Sequence, residues 1–376
     1  MADASPIEWT DATWNPVRGC SRVSAGCANC YAERVAMRQS NPGGGYEGLV
    51  HQTSQGPKWT GVIRTVPQLL DQPLRWRRPR RIFVNSMSDL FHQDVPDEFI
   101  TRVWQVMGRA QQHTFQILTK RPARMLAWLQ KWTDLSGEDM HDFKNARGPA
   151  AVRAAHPSGR GRLFAEVLEA MGQPPAGCAY PSFDWAEGLM RWPDVLPNVW
   201  LGVSVEDQAA ADERIPLLLQ TPAAVRWISA EPLLGRIDLS PWWKVDTSRP
   251  SLIDGAMDWV VAGGESGPKA RPSHPDWYRS LRDQCQVTSV PSFFKQWGNW
   301  KPVGPLYCDE DTVEHLAALD TDPDEWHREL WVTRTGSVWP PRDGQAPVGT
   351  WAIRRVPKAV AGRELDGRTW DEFPRS

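Results

Sequence analysis

The sequence predicts an α/β protein: a full or partial (β/α) TIM-type barrel with an insertion and a C-terminal extension. Three observations point there. Apolar runs of strand length recur, rich in β-branched and aromatic residues, and each passes abruptly into polar or charged residues. Helix-like amphipathic stretches separate most of them, and such alternation argues for a parallel sheet. No glycine-rich dinucleotide fingerprint follows the first strand, which weighs against a doubly wound nucleotide-binding fold.

In chain order, a first strand is expected near Thr13 to Arg18, followed by "GCSRVSAGCANCYAERVAMR" (19–38), which runs into a helix-like pattern near Tyr31. "RIFVNSMSDLF" (81–91) is the second strand, residues 97–111 a helix, and "TFQILTKRP" (114–122) the third strand. A helix over 122–132 follows, opening with proline, which suits the first turn because it lacks the N–H that would be orphaned there. Residues 133–196 break the rhythm with scattered Gly, Pro and Arg, and read as an insertion. The barrel resumes over 197–298 with strands "NVWLGVSVED" (198–207), "VRWISAEP" (225–232), "DWVVAGGESG" (258–267) and "VPSFFKQWG" (290–298). Helices are expected over 207–220 and 275–286. Residues 1–132 thus form the first part of the barrel, and 299–376, rich in Trp and Pro, a C-terminal extension packed on it.

The charge balance, 43 Lys and Arg against 45 Asp and Glu, gives a net charge of -2 and no global attraction to a polyanion. The basic run "RWRRPRR" (75–81) leads into a strand start, opposite the expected site, so a solvated or acid-paired segment is the reading. Most of the 22 tryptophans are expected to be core. No stretch approaches the roughly eighteen apolar residues of a membrane helix, and the N-terminus lacks a basic region followed by an apolar run. A cytoplasmic protein with no membrane partner is expected. Thiols stay reduced there, so clustered cysteines read as metal ligands or catalytic groups, and the scattered Cys178, Cys285 and Cys308 as inert.

In (β/α) barrels the chemistry sits at the C-terminal ends of the strands. That rule selects Asn85, Ser86, Ser88 and Asp89; Thr119, Lys120 and Arg121; Ser204, Glu206 and Asp207; Ser229 and Glu231; Glu265 and Ser266; Lys295 and Gln296. Lys120, Arg121 and Lys295 are suited to an anionic substrate or to a salt-bridged rim. Glu206 and Glu231 would bind a ribose hydroxyl or act as general bases, or pair with a lysine. The glycines of "GGESG" (263–267) suit close backbone approach to a ligand, or a turn.

Cys20, Cys27 and Cys30 follow the first strand and belong to the same end. A cubane [4Fe-4S] cluster held by three thiolates keeps one open iron, which can chelate S-adenosylmethionine for one-electron cleavage to a 5′-deoxyadenosyl radical. A helix starting near Tyr31 would turn its positive end towards Cys30 and favour thiolate. Zinc is the rival: a fourth ligand would come from His51, His92, Cys285 or Cys308, but no second short motif is present.

The stretches "WNPVRGCSRVSAGCANCYAERVAMR", "NSMSDLF", "LTKRP", "NVWLGVSVED", "SAEPLLG", "VVAGGESGPKARP", "DWYRSLRDQC", "FFKQWG" and "GRELDGRTWDEFP" together resemble the phage and prophage three-cysteine-motif proteins, relatives of the radical S-adenosylmethionine superfamily. The resemblance implies a [4Fe-4S] cluster on Cys20, Cys27 and Cys30, S-adenosylmethionine as cofactor, and a protein reductant. It also implies a nucleobase, nucleotide or nucleic acid as substrate. Six residues separate Cys20 from Cys27, more than is usual in the superfamily, and Asn29 stands where an aromatic residue usually precedes the third cysteine. The superfamily's glycine-glycine-glutamate motif, which contacts the methionine amino group, normally ends the second strand; here Gly263, Gly264 and Glu265 end a late one. Asn85, Ser86 and Ser88 stand in the usual place, and both sets remain candidates. Cofactor contacts are therefore sought among Asn85, Ser86, Ser88, Ser204, Glu206, Gly263, Gly264 and Glu265, and catalytic groups among Glu231, Lys120 and Lys295. The alternative is a zinc-stabilised, non-catalytic barrel that binds nucleic acid or protein.

Overall fold

The structure, a computed structural model, describes residues 5–133, 182–184, 189–191, 196–243, 257–306, 329–339 and 348–374. Seven strands form the main sheet: β1 (Ala12–Trp14), β2 (Arg81–Val84), β3 (Thr114–Thr119), β4 (Val199–Ser204), β5 (Val225–Ala230), β6 (Trp259–Gly263) and β7 (Ser292–Gln296). Their order in the sheet is their order in the chain. Pairing is parallel from β1 through β4 and from β5 through β7, with registers such as Ala12 to Ile82, Val84 to Ile117 and Trp227 to Trp259. With right-handed crossovers, sequential order puts every connection on one face, as in a (β/α) barrel; a doubly wound sheet reverses its order at a switch point. The sheet begins at β1 and ends at β7, the partial form of the expected barrel.

The helices fall where the apolar spacing placed them: α1 (Tyr31–Met37), α2 (Asp97–Arg109), α3 (Pro122–Thr133), α4 (Gln208–Gln220) and α5 (Pro275–Thr288). The imidazole of His274 caps α5 by accepting the Asp276 N–H at 3.1 Å. The first strand is shorter than expected. Pro16 has no N–H to continue a ladder, and Val17–Arg18 turns away to pair antiparallel with Arg64–Thr65.

The chain divides into two compact units, one of Met1–Arg22, Ala32–Val203 and Pro216–Arg226, the other of Val23–Tyr31, Ser204–Ile215 and Trp227–Ser376. The first has its core around Trp14, Ile82, Phe115 and Ile117, the second around Trp227, Trp259, Tyr278 and Phe293. Trp14 packs on Phe115 at 5.8 Å and Trp227 on Trp259 at 5.3 Å, the core role expected for tryptophan. Of the expected insertion, an antiparallel pair, Ser182–Asp184 with Leu189–Arg191, is among the described residues.

Beyond residue 299, where periodicity is weak, the second unit builds an antiparallel sheet of β8 (Trp300–Leu306), β9 (Glu329–Val332), β10 (Val338–Trp339) and β11 (Thr350–Arg355), in the order β8-β11-β9-β10. The register of β8 shifts between Pro302 and Gly304, and its prolines are tolerated because β8 is an edge strand. The C-terminal segment covers β7: Phe294 N–H donates to Trp370 O at 2.9 Å and the Trp259 indole to Glu372 O at 2.8 Å. No helix among the described residues is long and apolar enough to cross a membrane.

Candidate functional site

In the first unit, β2 stops at Val84 because Asn85 takes φ 57°, a left-handed conformation that asparagine tolerates better than most residues. Its backbone N–H donates to Trp14 O at 2.7 Å and its Oδ1 accepts the Val17 N–H at 3.2 Å. Ser86 Oγ donates to Asn15 Oδ1 at 3.2 Å and Ser88 Oγ to Val17 O at 2.8 Å. These three expected cofactor contacts therefore fix the segment after β1. Asn85 Nδ2 is buried without a partner among the described residues.

Asp89 gathers the end of β3. Its Oδ1 accepts from Thr119 Oγ1 at 2.8 Å and Phe91 N–H at 3.0 Å, and its Oδ2 from Lys120 N–H at 3.2 Å and Arg121 Nη1 at 2.9 Å. Arg121 Nη2 reaches Ser21, beside Cys20, donating to its carbonyl at 3.0 Å and its hydroxyl at 2.8 Å. Burial opposes the charge of Arg121, but Asp89 and then Cys20 raise its guanidinium above its ordinary value. His92 Nδ1 accepts the Asp94 N–H at 3.2 Å, which assigns the ring hydrogen to Nε2, 2.7 Å from Ser21 Oγ. Burial first, and Arg121 second, hold this imidazole below its ordinary value and so neutral. On the other side of Ser21, Arg22 forks onto the buried Glu33, which also accepts the Trp59 N–H at 3.1 Å.

The second unit carries Cys27 and Cys30. Residues Ala25–Cys27 form a 3-10 turn, with Cys27 N–H on Ser24 O at 2.9 Å. Two carboxylates from strand ends hold it. Glu206, after β4, accepts the Gly26 N–H on Oε1 at 3.1 Å and Arg214 Nη1 on Oε2 at 2.9 Å; Arg214 also donates to Ser204 O at 2.7 Å. Glu265, after β6, accepts Asn29 Nδ2 at 2.9 Å, Arg271 N–H at 2.7 Å and Arg271 Nε at 2.9 Å on Oε2, and Arg271 Nη2 at 2.6 Å on Oε1. The same Nη2 donates to Ala25 O at 3.0 Å, and Asn29 Nδ2 to Lys269 O at 2.7 Å. Burial alone would raise the Glu265 carboxyl; the bonds from Arg271 and Asn29 outweigh it and hold the group below its ordinary value.

Glu231 and Lys295 come together at the ends of β5 and β7, Nζ to Oε1 at 3.1 Å, and Ser229 Oγ donates to Glu231 Oε2 at 3.2 Å. Between them runs Gly263, where a Cβ would stand 2.5 Å from Glu231 Oε1. A Cβ on Gly264 would stand 2.0 Å from Trp297 O. Both glycines admit close approach, and what approaches is the chain itself. Lys295 and Arg121 are thus in ion pairs, whereas the amide of Lys120 is held on Asp89.

Cys20, Cys27 and Cys30 are half-buried and in no disulfide among the described residues, while Cys285 is fully buried and its thiol is pushed up by burial. Cys178 and Cys308 lie outside the described residues. Among the described residues no three His, Cys, Asp or Glu side chains already stand as a metal-ligating group. The donors fit an iron–sulfur cluster in kind and number: three unbridged thiols within eleven residues, with the turn around Cys27 fixed by bonds that leave the sulfur unused. Away from the site, Arg81 of the basic run pairs with Asp11 at 3.0 Å and Arg80 lies over the Trp76 ring, the acid-paired surface expected. Asn29, Arg214 and Arg271 were given no role by the sequence. An arginine eight residues after Glu206 and six after Glu265 is the only local signal they leave.

Over residues 4–374 the chain matches the family described as "Protein of unknown function (DUF5131)", and it belongs to that family. No curated protein matches it. A solved structure of a cysteine-to-serine mutant of spore photoproduct lyase aligns at 10% identity and a TM-score of 0.33, covering 94% of this chain and 71% of that one.

Proposed function

We propose that the chain holds a [4Fe-4S] cluster through Cys20, Cys27 and Cys30 and acts as a radical S-adenosylmethionine enzyme. The observation that carries this is the turn at Ala25–Asn29: two strand-end carboxylates bond to its backbone and to Asn29, leaving the Cys27 and Cys30 thiols unbridged beside them. Such a cluster, when bound, supplies an electron to the sulfonium of S-adenosylmethionine and breaks a carbon–sulfur bond.

The chain's own residues do the rest. Arg121 braces Ser21 and sets a positive charge by Cys20, which favours the thiolate a ligand must be. Asn85 has the unmet donor among the residues after β2, and we give it the polar contact to the cofactor. Glu231 and Lys295, ion-paired and both partly exposed at the strand ends, are the acid–base groups placed to meet a substrate group. The resemblance of the motifs supports a nucleobase, nucleotide or nucleic acid as that substrate, and a protein reductant.

Protein purified without oxygen and reconstituted with iron and sulfide should carry about four irons per chain. Single Cys20→Ala, Cys27→Ala or Cys30→Ala variants should lose them. Dithionite-reduced protein should convert S-adenosylmethionine to 5′-deoxyadenosine and methionine, and the true substrate should raise the rate. One zinc per chain with no iron overturns the reading in favour of a zinc-stabilised binding barrel.

A further inference from the structure

The "GGESG" stretch has a different task from the one its likeness to a cofactor motif implies. We infer that Glu265, with Arg271 and Asn29, is a positioning group that holds the Cys27–Cys30 turn in place before any metal binds; only what the turn holds rests on the reading above. The Glu265 carboxylate is engaged on both oxygens: Asn29 and the Arg271 backbone and side chain supply four donors at 2.6–2.9 Å, three to Oε2 and one to Oε1. The side chain is only 5% exposed. A carboxylate so enclosed is kept ionised by its donors, and losing one leaves a desolvated charge poorly matched, so the group resists rearrangement.

The grip is closed into a ring. Glu265 holds Asn29, Arg271 holds Glu265, and Arg271 also donates to Ala25 O, so both ends of the turn around Cys27 are tied to one ion pair. A ligand's amino group would have to displace Asn29 or Arg271 to bond to Glu265 Oε2.

The backbone beneath Glu265 is anchored as firmly. Glu265 O accepts the Asn299 N–H at 3.0 Å, Asn299 Oδ1 accepts the Gly267 N–H at 2.6 Å, and Asn299 Nδ2 donates to Val356 O at 2.8 Å. Gly298, at φ 81°, lies where a Cβ would be 2.1 Å from Glu265 O, and Gly264 where a Cβ would be 2.0 Å from Trp297 O. Gly264 therefore seats the strand end against Trp297–Gly298, and the glutamate that follows it holds the cysteine turn. Glu206, through Gly26, adds a second tie from the end of β4.

The test uses the full chain with metal removed and follows alkylation of each cysteine by iodoacetamide, with thermal melting as the measure of global stability. Glu265→Ala and Arg271→Ala should speed alkylation of Cys27 and Cys30 by about tenfold or more, as expected when a charge-assisted network no longer limits local opening. Cys20 should be unaffected. Glu329→Gln, which breaks an arginine–carboxylate pair in the small sheet (Arg354 to Glu329, 2.7 Å), should change none of the three rates. Should the two alanine variants not fold, Asn29→Ala, which leaves the ion pair intact, should still speed Cys27 and Cys30 several-fold, and Glu265→Gln should fall between it and wild type. Unchanged rates at Cys27 and Cys30 in folded variants, or equal acceleration of all three thiols, overturn the inference. Iron content is read separately: protected thiols without iron uptake refute the cluster and leave the positioning role standing.

Discussion

The stretch that carries the cysteines is braced in both units by an arginine paired with a buried carboxylate, but the two braces are wired differently. In the first unit Asp89 holds Arg121, and Arg121 passes the hold on to the carbonyl and hydroxyl of Ser21. His92 completes it at the same hydroxyl. In the second, the carboxylates touch the loop themselves, Glu206 at Gly26 and Glu265 at Asn29, and Arg271 adds a third tie at Ala25. A brace in series fails when any one member is lost. A brace in parallel gives way by steps, and Cys27 and Cys30 sit on the parallel one.

The largest effect should come from Glu206→Ala. Arg214, 1% exposed and with Nε already unpaired among the described residues, would be left as a buried charge, at a cost of about 3–5 kcal/mol in urea unfolding. A cost under about 1 kcal/mol would mean that this pair is not buried as described. Arg121→Ala should follow, at about 2–3 kcal/mol, because Asp89 keeps Thr119 Oγ1 and two backbone donors. It should also expose Cys20 to alkylation while Cys27 and Cys30 stay protected; acceleration of all three would erase the distinction between the two braces. Gly264→Ala should cost about 1–3 kcal/mol by forcing Trp297 away, and should loosen the turn through Glu265. Asn29→Ala, removing one tie of several, should cost about 1 kcal/mol.

Acid should separate the braces with the smallest energies. His92 has a depressed value, so the unfolded chain binds its proton more readily; its contribution is full above the ordinary 6.5 and declines as the pH falls below it. The charges around it are Arg121, Asp94, Asp89 and Arg124, and none makes a proton welcome enough to offset burial. Glu265 is also depressed, so its contribution is full above 4.5 and is lost only as the pH falls further, through its folded value. Hydrogen-exchange protection at residues 20–22 should therefore weaken between the two values, with residues 25–30 still protected. Simultaneous loss would show that the two braces are one.

What the sequence determined by itself is local. Residues that repeat every second or every third and fourth position commit a segment to strand or helix through the faces they make apolar, so the order of strands and helices was legible, and with it the parallel sheet in chain order. Pro122 and Pro275 marked helix starts for an equally local reason, and three cysteines in eleven residues announced themselves. The strand-end rule even picked Asp89, Glu206, Glu231 and Glu265. Their partners only the tertiary structure could decide. Gly26 meets Glu206 across 180 residues, Asn29 meets Glu265 across 236, and Arg271 meets Ala25 across 246. A carboxylate at a strand end looks the same in sequence whether it faces a ligand, a lysine or a loop, because periodicity records which way a side chain points from its own element and nothing of what is brought opposite it. The choice is made when burial removes water from that carboxylate and leaves only the donors the fold has carried there.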